Sequence, residues 1–380
     1  MKKIIIGLFI AVILLALPSK VYAYEDGGVD LKRIEDFAND LKESSDYIPE
    51  FSIKEIVATY QETGSFSGTV KEAFASLGKV IVKEVVASSR LLVELLILGI
   101  LSAVLQNIQS AFNESSIGKV AHYACIFTLI MIIVKSFLLV YNLAINTIDK
   151  MMEFICILIP PLMMLIAGTG GVVSAATLDP VMMIVISIFS TVIKGFIIPC
   201  TACVVALNIV NSLSDEPKVK KLASLIKQVS LWALGFIMTI FITMMTIRSS
   251  TAATMDAVTL KTTRFFVDNF IPLVGKSLSD AITTVVGYSV VLKDALSIVG
   301  LIIMIFICIF PLLKIMIITL IYKFVASVME PVVDRKIIDC LSSVGGSFTV
   351  IFSSLLCVAI MFFIMITIIT TTGRLIMTVG

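Results

Sequence analysis

The sequence predicts an all-α fold: a polytopic membrane helical bundle of about six full spans plus a broken or re-entrant helix, with a small helical extracytoplasmic segment at the N-terminus. Three observations predict it. The 380 residues are 58% hydrophobic and only 15% charged, where a soluble domain carries about 25% charged residues. Apolar runs near the roughly 20 residues that carry a helix across a bilayer recur along the chain. One run, Phe154 to Ala167, is shorter than that, holds Pro160-Pro161 inside it and ends at a glycine cluster.

Residues 1–23 have the form of a secretory signal peptide. Lys2 and Lys3 precede the apolar run Ile4 to Leu17, and Val21-Tyr22-Ala23 supplies a small-residue cleavage site. An uncleaved signal anchor is the alternative, and either one places the next segment outside the cytoplasm. Residues 24–90 are polar and acidic-leaning. Ser52 to Glu55 and Thr69 to Glu72 match capping boxes, in which hydroxyl and carboxylate satisfy orphan amides at a helix start. Val70, Phe74, Leu77, Ile81 and Val85 then recur at helical spacing. The segment reads as a small helical subdomain packed on the membrane domain, or as an amphipathic helix in the lipid interface.

The membrane domain is expected over 91–372, followed by a short tail, 373–380. Its apolar runs are Leu91 to Leu105, Val120 to Tyr141, the broken segment beginning at Phe154, Val181 to Leu207, Val229 to Ile247, Leu296 to Tyr322 and Phe348 to Thr371. The broken helix is expected over 154–179, because Pro160-Pro161 removes backbone donors from within a run too short to span. Irregular backbone at membrane depth is tolerated only beside protein or a wet cavity. Residues 248–295 are moderately polar with apolar patches and suit helices at the membrane surface. Basic residues concentrate in cytoplasmic loops, so the loops around 214–221 and 330–336 are the cytoplasmic candidates. Both face the cytoplasm only if 154–207 makes a single crossing, which favours the re-entrant reading. A faint internal echo, Pro199 with Glu216-Pro217 and Pro311 with Glu330-Pro331, is of the kind weak transporter repeats leave; chance explains it as well.

Ionisable groups inside a span are costly and are therefore functional candidates. Lys194 lies near the centre of its run and is expected to face protein or water, lining a solute path or bonded to backbone carbonyls. Glu94 and Lys135 sit toward the outer ends of neighbouring antiparallel spans and could pair across the hairpin, as a structural ion pair in preference to a relay. Pro160, Pro161, Gly168, Gly170 and Gly171 mark the broken helix; the glycines supply a tight turn or a close helix approach. The seven cysteines fall in or beside apolar runs, as small buried residues do. No P-loop, GxSxG or HExxH pattern is present, and no Cys/His cluster has metal-ligand spacing. The reading assigns no catalytic residue, cofactor or metal, and the net charge of +2 with no basic run argues against nucleic acid.

Several stretches carry a resemblance: KVAHYACIFTLIMIIVKSF (119–137), FICILIPPLMMLIAGTGGVVSAA (154–176), KLASLIKQ (221–228), TLKTTRFFVDNFIPLVG (259–275), FPLLKIMIITLIYK (310–323) and MFFIMITII (361–369). In these, and in its signal, the chain resembles the stage III sporulation protein AE family of endospore-forming Firmicutes. The resemblance implies a mother-cell subunit of a secretion-like channel, or feeding tube. It would sit in the membrane surrounding the forespore with its N-terminal segment in the intermembrane space. Implied partners are the other stage III A-operon sporulation proteins and stage II sporulation protein Q, besides membrane lipid. Two other readings stand beside it: a self-sufficient secondary transporter with a midplane site at the discontinuous helix, and a structural anchor for partner proteins.

Overall fold

The computed structural model describes residues 67–111, 116–213, 219–270 and 275–371, together with 33, 34, 36, 37, 39 and 40. The signal peptide at 1–23, nearly all of 24–66 and the tail from 372 lie outside the described residues. Almost every described residue is helical, and none is in a strand. The helices are α1 (Ser67–Ala111), α2 (Ser116–Gly168), α3 (Asp179–Val192), α4 (Ile198–Leu213), α5 (Lys220–Phe270), α6 (Gly275–Met329) and α7 (Arg335–Thr371). A π-helical turn, Ser174–Leu178, leads into α3, and another, Ile193–Ile197, joins α3 to α4. Counting α3 and α4 as one arm, six helices among the described residues are long and apolar enough to cross a membrane. The chain is an all-α multi-pass membrane protein.

One expected boundary moves. Val120 to Tyr141 and the segment from Phe154 are not separate spans, because both belong to α2, a single helix of 53 residues. Pro160 and Pro161 lie inside it without ending it. Their fixed φ is helical, and what they remove is the donors to the Cys156 and Ile157 carbonyls. Leu158, Ile159 and Leu162 around them are fully buried, so packing holds the helix through the proline pair. The discontinuity falls instead at residues 169–171. The first candidate span takes in Leu91 to Leu105, on an α1 that runs unbroken from Ser67. Residues 248–270 and 275–295 continue α5 and begin α6. From the N-terminal region, Ile34 and Phe37 are buried, and the Phe37 ring lies 5.4 Å from that of Phe154.

The core runs along α6 and α7. Their most apolar windows are 56% buried, against 22–33% for the other four candidate spans. Small residues let these two helices close up: a side chain on Gly345 would meet Lys323 and Tyr322 at 3.3 Å, the kind of approach membrane helices use. Tyr322 meets Phe348 edge-on with centroids 5.0 Å apart, and Phe137 of α2 stacks on the same ring at 6.3 Å. Large apolar side chains such as Phe127, Trp232 and Phe236 point outward, as a lipid-facing surface requires.

These contacts also fix the register of α2 against α6. Leu158 packs on Gly300 and Gly168 approaches Ser289, while Phe137 and Tyr322 share Phe348. The two helices therefore run antiparallel, with Asp149 level with residues 308–310. That level is the middle of the Leu296 to Tyr322 apolar run.

Candidate functional site: the glycine turn and its charged neighbours

The turn after α2 folds back tightly. The Thr169 amide donates to the Leu165 and Ile166 carbonyls, that of Gly170 to Ala167 and that of Gly171 to Ile166, all at 3.0–3.1 Å. The Thr169 hydroxyl adds a bond to the Ile166 carbonyl at 2.7 Å. Gly170 has φ 90°, where an L side chain is strained. A Cβ on Gly171 would stand 2.7 Å from the Ile166 methyl and 3.2 Å from its carbonyl oxygen, and one on Gly168 would stand 3.0 Å from Ser289 Oγ. Each glycine of the cluster thus has its own reason to be there. Gly170→Ala is expected to destabilise the protein by about 1–2 kcal/mol, the left-handed penalty, read as a lowered thermal unfolding midpoint in detergent. Gly195→Ala is the control, with open space around its Cβ, and should not lower the midpoint.

The chain re-enters helical geometry under a cap supplied from another helix. Asp256 of α5 is fully buried. Its carboxylate accepts from the amides of Val173 and Ser174 at 3.1 and 3.2 Å, and from the Ser174 hydroxyl. The first amides of a helix have no internal partner and carry partial positive charge, so a carboxylate there satisfies both needs. Arg248, two turns earlier on α5 and 2% exposed, lies within electrostatic reach of Asp256.

Each π turn ends two residues before a proline, Pro180 in one case and Pro199 in the other. A helical proline cannot donate and its ring collides with the carbonyl four residues back. Widening the preceding turn, as the Ile198 amide does by bonding to Ile193, moves that carbonyl aside. Pro311 sits in α6 with no such turn, so the two proline positions that echo each other in sequence differ in local geometry.

Lys194 occupies the second π turn and pairs with Asp149 of α2. The two side chains are 39% and 51% exposed. Glu94 is bridged by Arg90, one turn earlier on α1, at 2.9 Å, and Lys135 is exposed on α2; no Glu94–Lys135 bridge forms among the described residues. Lys314 bonds Glu84 at 3.3 Å. Sequence reasoning missed the buried charges altogether. Lys293, fully buried, donates to the Thr370 carbonyl at 2.7 Å and lies 3.4 Å from Asp294. A usable signal existed: Lys293-Asp294 and Arg248 with Asp256 both border uncharged apolar runs, where a charge must be buried or paired. At the opposite end, a cavity of about 150 Å³ is lined by Asn208, Asn211, Lys220, Arg335 and Asp339 among others, and Lys220 bridges Asp339 at 2.8 Å. No group of His, Cys, Asp and Glu fit to hold a metal occurs among the described residues.

Comparison with known proteins agrees with the sequence pattern. No solved structure matches the chain. A curated protein of Bacillus subtilis (strain 168), "Stage III sporulation protein AE", is 33% identical over 350 residues, covering 92% of this chain and 87% of that protein. The family profile described as "Stage III sporulation protein AE" matches residues 51–373. That match takes in α1 to α7, the glycine turn and the Asp149–Lys194 and Asp256 sites, and the chain belongs to the stage III sporulation protein AE family.

Proposed function

We propose that the chain is an integral membrane subunit of a secretion-like channel complex that links mother cell and forespore during endospore formation and is required for forespore development. It acts in the mother-cell membrane around the forespore, with its N-terminal segment in the intermembrane space. Its partners there are the other stage III A-operon sporulation proteins and stage II sporulation protein Q. It contributes no catalysis of its own. Family membership supports the sporulation role. The observation that carries the conduit reading is the Asp149–Lys194 pair. Lys194 is the one charge within the apolar run Val181 to Leu213, and its pairing brings Asp149 to the same depth. Half-exposed charges at the middle of a bundle, each costing about 2.5–3.5 kcal/mol against lipid, need a polar surrounding.

Exchange of the pair tests this. Lys194→Asp sets two carboxylates together and should arrest forespore development while the protein still assembles. Asp149→Lys combined with Lys194→Asp restores the pair and should recover much of the spore yield. Normal spores from Lys194→Asp would remove the conduit role and leave a scaffold. The secondary-transporter reading has one observation in its favour, the π turn that carries Lys194. It predicts solute uptake by the purified protein alone in vesicles.

A further inference from the structure

The Asp149–Lys194 pair is not isolated on α2. Lys135, Asn142, Asn146, Asp149 and Glu153 are all exposed. At about 100° per residue they fall within roughly 40° of one line along the helix. The line is about 27 Å long at 1.5 Å per residue, close to the roughly 30 Å thickness of a bilayer's hydrocarbon core. By the register with α6, it is level with residues 305–323, so it runs beside that helix's apolar run rather than beyond it. On the returning arm, Ser187, Thr191 and Lys194 recur at i, i+4 and i+7, one helical face. The two lines meet where Lys194 bonds Asp149. Pro160 and Met164 continue the α2 face toward the glycine turn without further charge.

We infer that this face of α2, with Ser187, Thr191 and Lys194 beside it, is the water-facing wall of a transmembrane path. Lipid cannot cover it, because Lys135 and Glu153 would each meet hydrocarbon at the cost of an ionised group. Its chemistry also bears on what passes. Asp149 is offset by Lys194, and Glu153 at one end by Lys135 at the other, so the wall carries no net charge. Pores that select one kind of ion use rings of one charge; a balanced wall lined with amides and hydroxyls suits small hydrophilic solutes of either sign. The inference rests on the conduit reading, and it can fail separately, since water contact is measured without reference to spore formation.

The experiment uses the full chain in isolated native membranes. Asn142→Cys, Asn146→Cys and Glu153→Cys are each exposed to a charged, membrane-impermeant methanethiosulfonate reagent, and labelling is read on the peptide carrying the new cysteine. Phe236→Cys, exposed on the apolar surface of α5, is the lipid-facing control. The three wall cysteines should label at least about tenfold faster than the control, because the reactive thiolate forms only where water reaches it. Labelling no faster than the control would overturn the proposal. So would oxidative cross-linking of the wall cysteines between two copies of the chain without reagent access, which would make the face an interface.

Discussion

Asp256→Ala should be among the most damaging single substitutions in the chain, lowering stability by about 3–5 kcal/mol, the cost of removing one member of a buried charged network. The carboxylate holds two helix-start amides and a hydroxyl, and its removal takes that partner from all three, with Ser174 fully buried. It also takes one nearby negative charge away from Arg248, 2% exposed. The damage should concentrate at the glycine turn, because Val173 and Ser174 begin the arm that carries Lys194. Asp256→Asn separates the two contributions. Its amide oxygen can still accept from both backbone amides, but the charge is lost, so the loss should fall to about 1–3 kcal/mol, the range for one charged hydrogen bond or one stranded partner. Thermal unfolding in detergent orders the three proteins: native, then Asn, then Ala. An alanine variant as stable as the native chain would mean that α3 starts without its cap.

Lys293→Met should have a comparable effect for a different reason. The ammonium bonds the Thr370 carbonyl near the end of α7, where unpaired carbonyls collect and a cation is favoured. It is also the neighbour of Asp294, itself 4% exposed. Methionine keeps the length and apolar stem, so what is lost is the charge, and the expected cost is again about 3–5 kcal/mol. Adding Asp294→Asn removes the buried carboxylate that the first change leaves behind. The double variant should therefore be more stable than the sum of the single losses, a coupling that a double-mutant cycle reads directly. Strict additivity would show that the two residues act independently.

Much of this architecture is legible in the sequence because membrane helices announce themselves by length and apolarity. The six spanning helices, the lysine in the middle of one of them and the turn at Gly168 to Gly171 all follow from local composition. What local composition could not supply was the outcome of competition. Pro160-Pro161 is a helix-breaking signal by itself, yet Leu158, Ile159 and Leu162 are anchored in the core and the helix continues. Glu94 has an apparent partner in Lys135 on the next helix, but Arg90, one turn away, reaches it with no rearrangement. Asp256 is a single carboxylate at the end of an apolar run, 82 residues from the Ser174 it caps; nothing near it in sequence announces that role. The polar face of α2 was hidden for a related reason. Residues 142–153 look like a loop between two spans until the helix is known to be continuous, and only then do Asn142, Asn146, Asp149 and Glu153 align.

The most direct test of the account is to isolate this protein gently, in detergent, from sporulating cells and identify every protein that comes with it. As a channel subunit it should be recovered with the other stage III A-operon sporulation proteins and with stage II sporulation protein Q from the forespore side. Recovery as a discrete species without those partners, at a stage when the forespore is already engulfed, would contradict the account.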